Sequence, residues 1–239
     1  MSDDQGAKSK ILNAAKKEFA QRGYAGARMN NIAEQAGVNK AMLHYYFNSK
    51  ENLYLQILQN LFSTKFQVNH HDIQENLKQP LSHWEKFYTS IYLLVSLQFE
   101  FVDTDFHQIM AWEMAEGRKR FSKFAKKFLI PRLKTMEEII DEGTKAGVFA
   151  TKNSLLFVMD VLSLVMFYTV NRSFYAETEL YDKLYGNDPK KNLLNFIVSH
   201  FSKALSPTSG EPKNFEISSE LMNTLDSILK EMKLKGEPS

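Results

Sequence analysis

Along almost its whole length this chain repeats its apolar residues at steps of three and four, a spacing that fits one regular structure, the amphipathic α-helix. Only 6 prolines and 10 glycines interrupt 239 residues, and the period-two alternation of a half-buried strand is nowhere sustained. The expected fold class is all-α. Ile11, Leu12, Ala15, Phe19 and Ala20 form a first stripe, from about Lys8 to Arg22, and Gly23 supplies its stop. Ser49 can cap a helix that starts at Lys50 and runs through Leu53, Ile57, Leu58, Leu61 and Phe62 towards Phe66. Further helices are expected at about 82–102, 105–116, 118–145, 153–176 and 189–205, with a polar stretch at 69–80 and a linker at 206–212. A last stripe, Ile217, Leu221, Leu225, Ile228 and Met232, marks a terminal helix.

This length allows a small domain joined to a larger one, each with a core of its own, so neither disulfide nor metal is needed for stability. The absence of cysteine excludes thiol catalysis, disulfides and zinc-thiolate sites. The N-terminus is acidic and polar, unlike a signal or transit peptide. The longest apolar run, around 155–170, contains Asp160 and falls short of the roughly 20 residues that span a membrane. A cytoplasmic protein without a membrane partner is expected. The net charge is only +2, but through Lys65 nine Lys/Arg face five Asp/Glu, which favours an anionic partner for the N-terminal part.

The segment from Ile32 to Phe47 has the geometry of two short helices meeting at a steep angle. Ala33 and Ala36 are small enough for close approach, Gly37 can take the positive φ that ends the first helix, and Val38 fills the corner. Ile32, Leu43, Tyr46 and Phe47 then face Phe19 of the first helix. Asn39, Lys40, Ala41, Met42, His44 and Tyr45 point outward, as the reading face of a helix-turn-helix does.

The wider stretch from Ile11 to Leu53 resembles the tetracycline-repressor (TetR) family of transcriptional regulators. The matching residues are Ile11-Leu12-Asn13-Ala14-Ala15 through Phe19, Gly23-Tyr24, Ile32-Ala33 through Ala36-Gly37-Val38, then Lys40, Leu43, Tyr46-Phe47 and Ser49-Lys50-Glu51-Asn52-Leu53. The resemblance covers about the first quarter of the chain. It implies a recognition helix from about Lys40 to Phe47 and phosphate contacts from Tyr45 and Lys50. A cation in the first turn of a helix opposes the helix dipole, which makes sense for Lys50 if a phosphate shares the site. Lys40 suits guanine O6 or N7, Met42 a thymine methyl, and His44 a base edge or a phosphate. Three departures from the family pattern stand out. Arg28 replaces the usual Thr or Ser that caps the second helix, which shifts the expected cap to Asn30; Asn39 takes the usual Ser position; and Ala41-Met42 replaces a common Gly-Thr pair.

The division expected is a helix-turn-helix domain over 1–49, an effector-binding and dimerisation domain over 50–205, and a linker with an extra helix over 206–239. By the same resemblance the larger domain holds a pocket for an apolar or amphipathic effector, bounded by some of Tyr88, Tyr92, Phe106, Met110, Trp112 and Phe167, with His107 among the polar contacts. A single recognition helix touches too few bases for selectivity, so a homodimer on a palindromic operator is expected. The resemblance places its interface on the helices near 153–176 and 189–205, with Leu156, Leu164, Phe196, Ile197 and Phe201. The basic residues between Arg118 and Lys127 alternate with Phe121, Phe124, Phe128 and Leu129 and read as a solvated face behind a core stripe. His70-His71-Asp72 reads as a polar loop. No metal site, cofactor or catalytic residue is expected, since phosphate-binding loops, nucleophile elbows and metal-protease motifs are missing from the sequence. The function expected is a ligand-responsive, sequence-specific regulator, a repressor released by its effector. The alternative is a DNA-bound interaction protein whose larger domain holds a protein partner.

Overall fold

The computed structural model describes residues 2–63, 73, 77, 79–207 and 217–236, and among these the secondary structure is helical with no strand. The order is α1 (Ser2–Gly26), α2 (Met29–Ala36), α3 (Lys40–Phe47), α4 (Lys50–Ser63), α5 (His83–Phe101), α6 (Thr104–Ala115), α7 (Phe121–Phe124), a π turn (Ala125–Leu129), α8 (Ile130–Lys145), α9 (Ser154–Val170), α10 (Arg172–Tyr175), α11 (Tyr181–Leu184), α12 (Pro189–Leu205) and α13 (Ser219–Gly236). The stretch 70–72 and the linker from 208 to 216 lie outside the described residues.

The chain divides into two compact units, and the division differs from the one expected at residue 49. The first unit contains α1–α4, α6, α7 and the π turn; the second contains α5, α8–α12 and α13 as far as Leu234. In the first unit Phe106 and Ile109 of α6 join Ile11, Ala15, Phe19, Ile32, Leu43, Phe47, Leu53 and Tyr54 in one core. An apolar stripe records that a helix must be buried, but not against which of two cores, which is why the sequence assigned α4 and α6 to the larger domain.

The second core joins Phe87, Ile91 and Val95 of α5 with Ile140, Val158, Val161, Val165, Leu193, Ile197 and Phe201, and α13 covers it with Leu221, Leu225 and Leu229. Asn153 and Asp188 cap α9 and α12 by accepting from the backbone N–H groups of Leu156 and Lys191, and Pro189 sits in the first turn, where its missing N–H costs nothing. The helix expected over 118–145 is broken. The backbone passes through positive φ at Gly117 and Arg118, and Pro131, which cannot donate an N–H, lies two residues past the π turn that rearranges the ladder. The helix expected over 153–176 likewise ends at Val170 and resumes as α10 after Asn171.

Gly143 sits in α8 beneath the Phe149 ring, and a Cβ there would stand 2.1 Å from Phe149 Cδ2. Phe149 is itself wedged edge-on against Trp84, 4.7 Å between centroids, so it has little room to retreat. Gly143→Ala, although it raises helix propensity, is expected to lower unfolding free energy by about 1–3 kcal/mol in urea titrations.

Candidate nucleic-acid interface

An eight-residue helix is too short to be stable alone, so α3 depends on what holds it. Gly37 closes α2 with φ 67°, ψ 32°; its N–H donates to Glu34 O (3.1 Å) and the N–H of Val38 to Ala33 O (3.0 Å). This paired closure satisfies the last carbonyls of α2 and turns the chain. Nothing lies within 4 Å of a Cβ built at Gly37, so glycine is needed there for its backbone angle alone. Asn39 then starts α3, its side-chain oxygen accepting from Met42 N at 2.9 Å. Leu43 and Phe47 are buried, Tyr46 and Met42 are half-buried, and Lys40, Ala41, His44 and Tyr45 are exposed, Tyr45 at 77%. His44 Nδ1 lies 3.2 Å from Asn48 O.

The cap of α2 corrects the expectation of Asn30. Arg28 is the N-cap residue and makes no side-chain cap bond. Glu18 of α1, only 1% exposed, does the work instead: Oε1 accepts from Arg28 N (3.1 Å) and Asn31 Nδ2 (3.1 Å), and Oε2 from Gln35 Nε2 (3.3 Å), with Arg22 Nε 3.5 Å from Oε1. The Arg28 side chain is thereby left exposed. The sequence signal for Glu18 was an acid on the buried stripe of α1, between Ala15 and Phe19.

Ser49 caps α4, its Oγ accepting from Asn52 N at 3.0 Å. Lys50 folds back, its Nζ 3.4 Å from Ala25 O and 4.8 Å from the centroid of Tyr24, whose ring also carries the Arg120 guanidinium at 3.6 Å. Burial, and then the nearby Arg120 charge, hold the Lys50 ammonium below its usual pKa. Two cations on one ring make Tyr24 a positioning residue for both.

Segment 102–121 clamps α1 and α4. Glu113, buried, accepts from Tyr54 OH (2.7 Å) on Oε1 and from Phe121 N (2.9 Å) on Oε2. Burial first, and then this bond, raise the Tyr54 hydroxyl far above its usual pKa. Trp112 Nε1 donates to Ala20 O at 3.1 Å, and its ring lies against Gly23, where a Cβ would come within 2.8 Å. Gly23 also has φ 64°, which breaks the helical backbone of α1 where the sequence expected its stop. Lys16 pairs with Asp103.

The residues expected to line one effector pocket are therefore divided. Phe106, His107, Met110 and Trp112 belong to the first unit, where Phe106 is core and Trp112 grips α1; Tyr88, Tyr92 and Phe167 belong to the second. The Tyr92 hydroxyl donates to Asp226 of α13, and Tyr88 OH lies 3.5 Å from Met222 Sδ, while Phe167 is exposed. The described hollow of the second unit is lined instead by Phe87, Ser90, Met136, Ile139, Ile140, Phe157, Val158 and Val161. Helical register explains the difference: Tyr88 is turned by about 100° from Phe87, away from α8 and α9. Of the residues expected at a dimer interface, Leu156 and Phe196 are exposed and Leu164 is half-buried, but Ile197 and Phe201 face the unit's own core. Among the described residues there is no cluster suited to a metal ion, and no helix is long and apolar enough to cross a membrane.

Comparison with known proteins agrees with this geometry. Residues 11–57 match the family of bacterial regulatory proteins of the tetR type. The chain is 26% identical over 198 residues to the HTH-type transcriptional repressor NicS of Pseudomonas putida, covering 78% of this chain and 86% of that one. It is 50% identical over 54 residues to the HTH-type transcriptional regulator RutR of Escherichia coli, covering 23% of this chain and 26% of that one. The fold is similar to the crystal structure of HlyIIR, a hemolysin II transcriptional regulator, with a TM-score of 0.61 and 24% identity over 86% of this chain and 99% of that one. Residues 11–57 are thus of the tetR type, and the relatives named here are regulators of transcription.

His107 gives this unit a pH signature. Its Nε2 is buried without a hydrogen-bond partner among the described residues, and burial holds its pKa below the usual 6.5 against the opposing charge of Asp103. The unfolded chain then binds the proton more readily than the folded one. Stability contributed here is complete above pH 6.5 and is lost as pH falls from 6.5 towards the lowered value; His107→Gln is expected to flatten that part of a stability-against-pH curve measured by urea unfolding.

Proposed function

We propose that the chain is a homodimeric repressor that reads a palindromic operator with α3 and leaves it when an apolar or amphipathic small molecule enters the second unit. The observation that carries the DNA reading is the asymmetry of α3: Leu43 and Phe47 fix it to the core while Lys40, Ala41, His44 and Tyr45 stand in solvent. A short helix so presented fits the major groove. In this reading Lys40, Ala41, Met42 and His44 meet base edges, Tyr45, Arg28 and Lys50 meet phosphates, and Asn39 sets the register through its cap.

The dimer reading rests on α9 and α12, where Leu155, Leu156, Met159, Phe167, Val170 and Phe196 are large, apolar and exposed. An effector reading is favoured by the hollow between α5, α8 and α9, which now has room for only about one water and opens only if the helices part. Gln98 lies further along the same face of α5 as Phe87 and Ser90, and its Oε1 is buried with no hydrogen-bond partner among the described residues. A ligand with an apolar body and one hydrogen-bond donor suits those surroundings. The chain links the sites directly, since α8, which lines the hollow, continues from the π turn and α7 next to the Glu113 clamp.

Fluorescence anisotropy on a duplex selected from genomic fragments tests the DNA reading. Lys50→Ala is expected to weaken binding evenly across sequences and lower the slope of log K against log salt by about one unit, whereas Lys40→Ala relaxes preference at one base pair by about 1–3 kcal/mol. If both bind like the parent, α3 is not the reading element. For the effector, an apolar compound with a single donor is expected to raise the melting temperature of the parent more than that of Gln98→Leu; a broad panel of such compounds that shifts neither overturns the effector reading.

A further inference from the structure

The excursion between α9 and α12, residues 171–188, combines two properties that a plain connection does not need together. It is firmly built. Tyr168 OH donates to Leu184 O (2.8 Å), Tyr185 OH to Tyr168 O (2.9 Å), Asn192 Nδ2 to Tyr185 O (2.7 Å), and Arg172 Nε and Nη2 lie 3.2 and 3.1 Å from Tyr181 OH. The Tyr185 ring, fully buried, packs 4.4 Å from Tyr168 and 5.0 Å from Tyr181. Yet this fixed frame holds Phe174 71% exposed and Leu180 and Leu184 42% exposed. Ordering a loop costs conformational entropy, and large apolar side chains fixed in water return none of it, so such a display points to a partner.

We propose that residues 171–188 form an arm that docks on a second copy of this chain and completes the dimer; this rests on the dimer reading above. The occupant follows from continuity. Phe167, Val170 and Phe174 fall at steps of three and four across the α9–α10 junction, so the arm extends the exposed stripe of α9 that starts at Leu155 and Leu156. It follows also from area. With whole-residue areas of roughly 200 Å², the six exposed apolar residues of α9 and α12 offer on the order of 600 Å² and the three arm residues about 300 Å² more, and together these match the roughly 800 Å² per partner that a stable interface buries. A two-fold axis then sets each arm against its counterpart's surface, with every contact made twice.

The full chain supplies the test, and its lack of cysteine makes single-site labelling clean. The first variant is the triple substitution Phe174→Ser, Leu180→Ser, Leu184→Ser, which keeps the tyrosine frame; sedimentation equilibrium is expected to show a dimer dissociation constant raised at least about 50-fold, with unchanged helical circular dichroism. The second is Leu180→Cys carrying an environment-sensitive fluorophore, whose emission is expected to move to shorter wavelength as concentration crosses the dimer transition. A dimer as tight in the triple variant as in the parent, with fluorophore emission that ignores concentration, overturns the arm and leaves the dimer reading intact. A parent chain that stays monomeric at tens of micromolar overturns both. Should the triple variant lose helical signal, the fluorophore measurement decides alone.

Discussion

Burial of Leu43 and Phe47 is the constraint on which the rest depends. Eight residues cannot sustain a helix in water, so α3 exists only because two of its side chains are fixed in a core built by α1, α2 and α4. That anchoring costs the helix one face and frees the other. The bend that aims it is held by three devices of different kinds: the backbone angle of Gly37, the Asn39 cap, and the buried Glu18 carboxylate that gathers the start of α2. Glu18 stands out because its acceptor oxygens are matched by donors from three residues, so a charged group sits in a core without being left unsatisfied.

Within the same unit, α1 and α4 are gripped by a segment distant in sequence. Trp112 and Glu113, side by side on α6, reach α1 and α4, one through an indole N–H on Ala20 O and the other through the Tyr54 hydroxyl. These bonds tie the helix that begins at Lys50 to the segment leading into α8. The chain crosses from one compact unit to the other and back, so in the proposed regulator the reading helix and the effector-binding unit are joined by covalent connection.

Much of this was legible beforehand because it rests on local rules. The spacing of Ile32, Leu43 and Phe47, the glycine at 37 and the serine at 49 each carry a geometric meaning that survives without knowledge of the rest of the chain. What the sequence did not show depends on tertiary choice. Phe106 and Trp112 have the composition of pocket residues, but they became core and clamp of the first unit because α6 packs on α1. Tyr88 and Tyr92 turned towards α13 while their neighbours Phe87 and Ser90 took the hollow, a difference of one residue in register. Phe196 and Ile197, both expected at an interface, part for the same reason, the first facing outward and the second inward. The break of the helix expected over 118–145 was signalled by Pro131, which an apolar stripe running past it concealed.

The outward face of α3 is proposed to read sequence. The most direct measurement of this is enrichment of genomic fragments by the purified chain, followed by footprinting of the best-bound fragment. An inverted repeat is expected, its two protected half-sites lying about one helical turn, or a multiple of it, apart on one side of the duplex. Recovery of fragments with no shared sequence, protected evenly along their length, would contradict it.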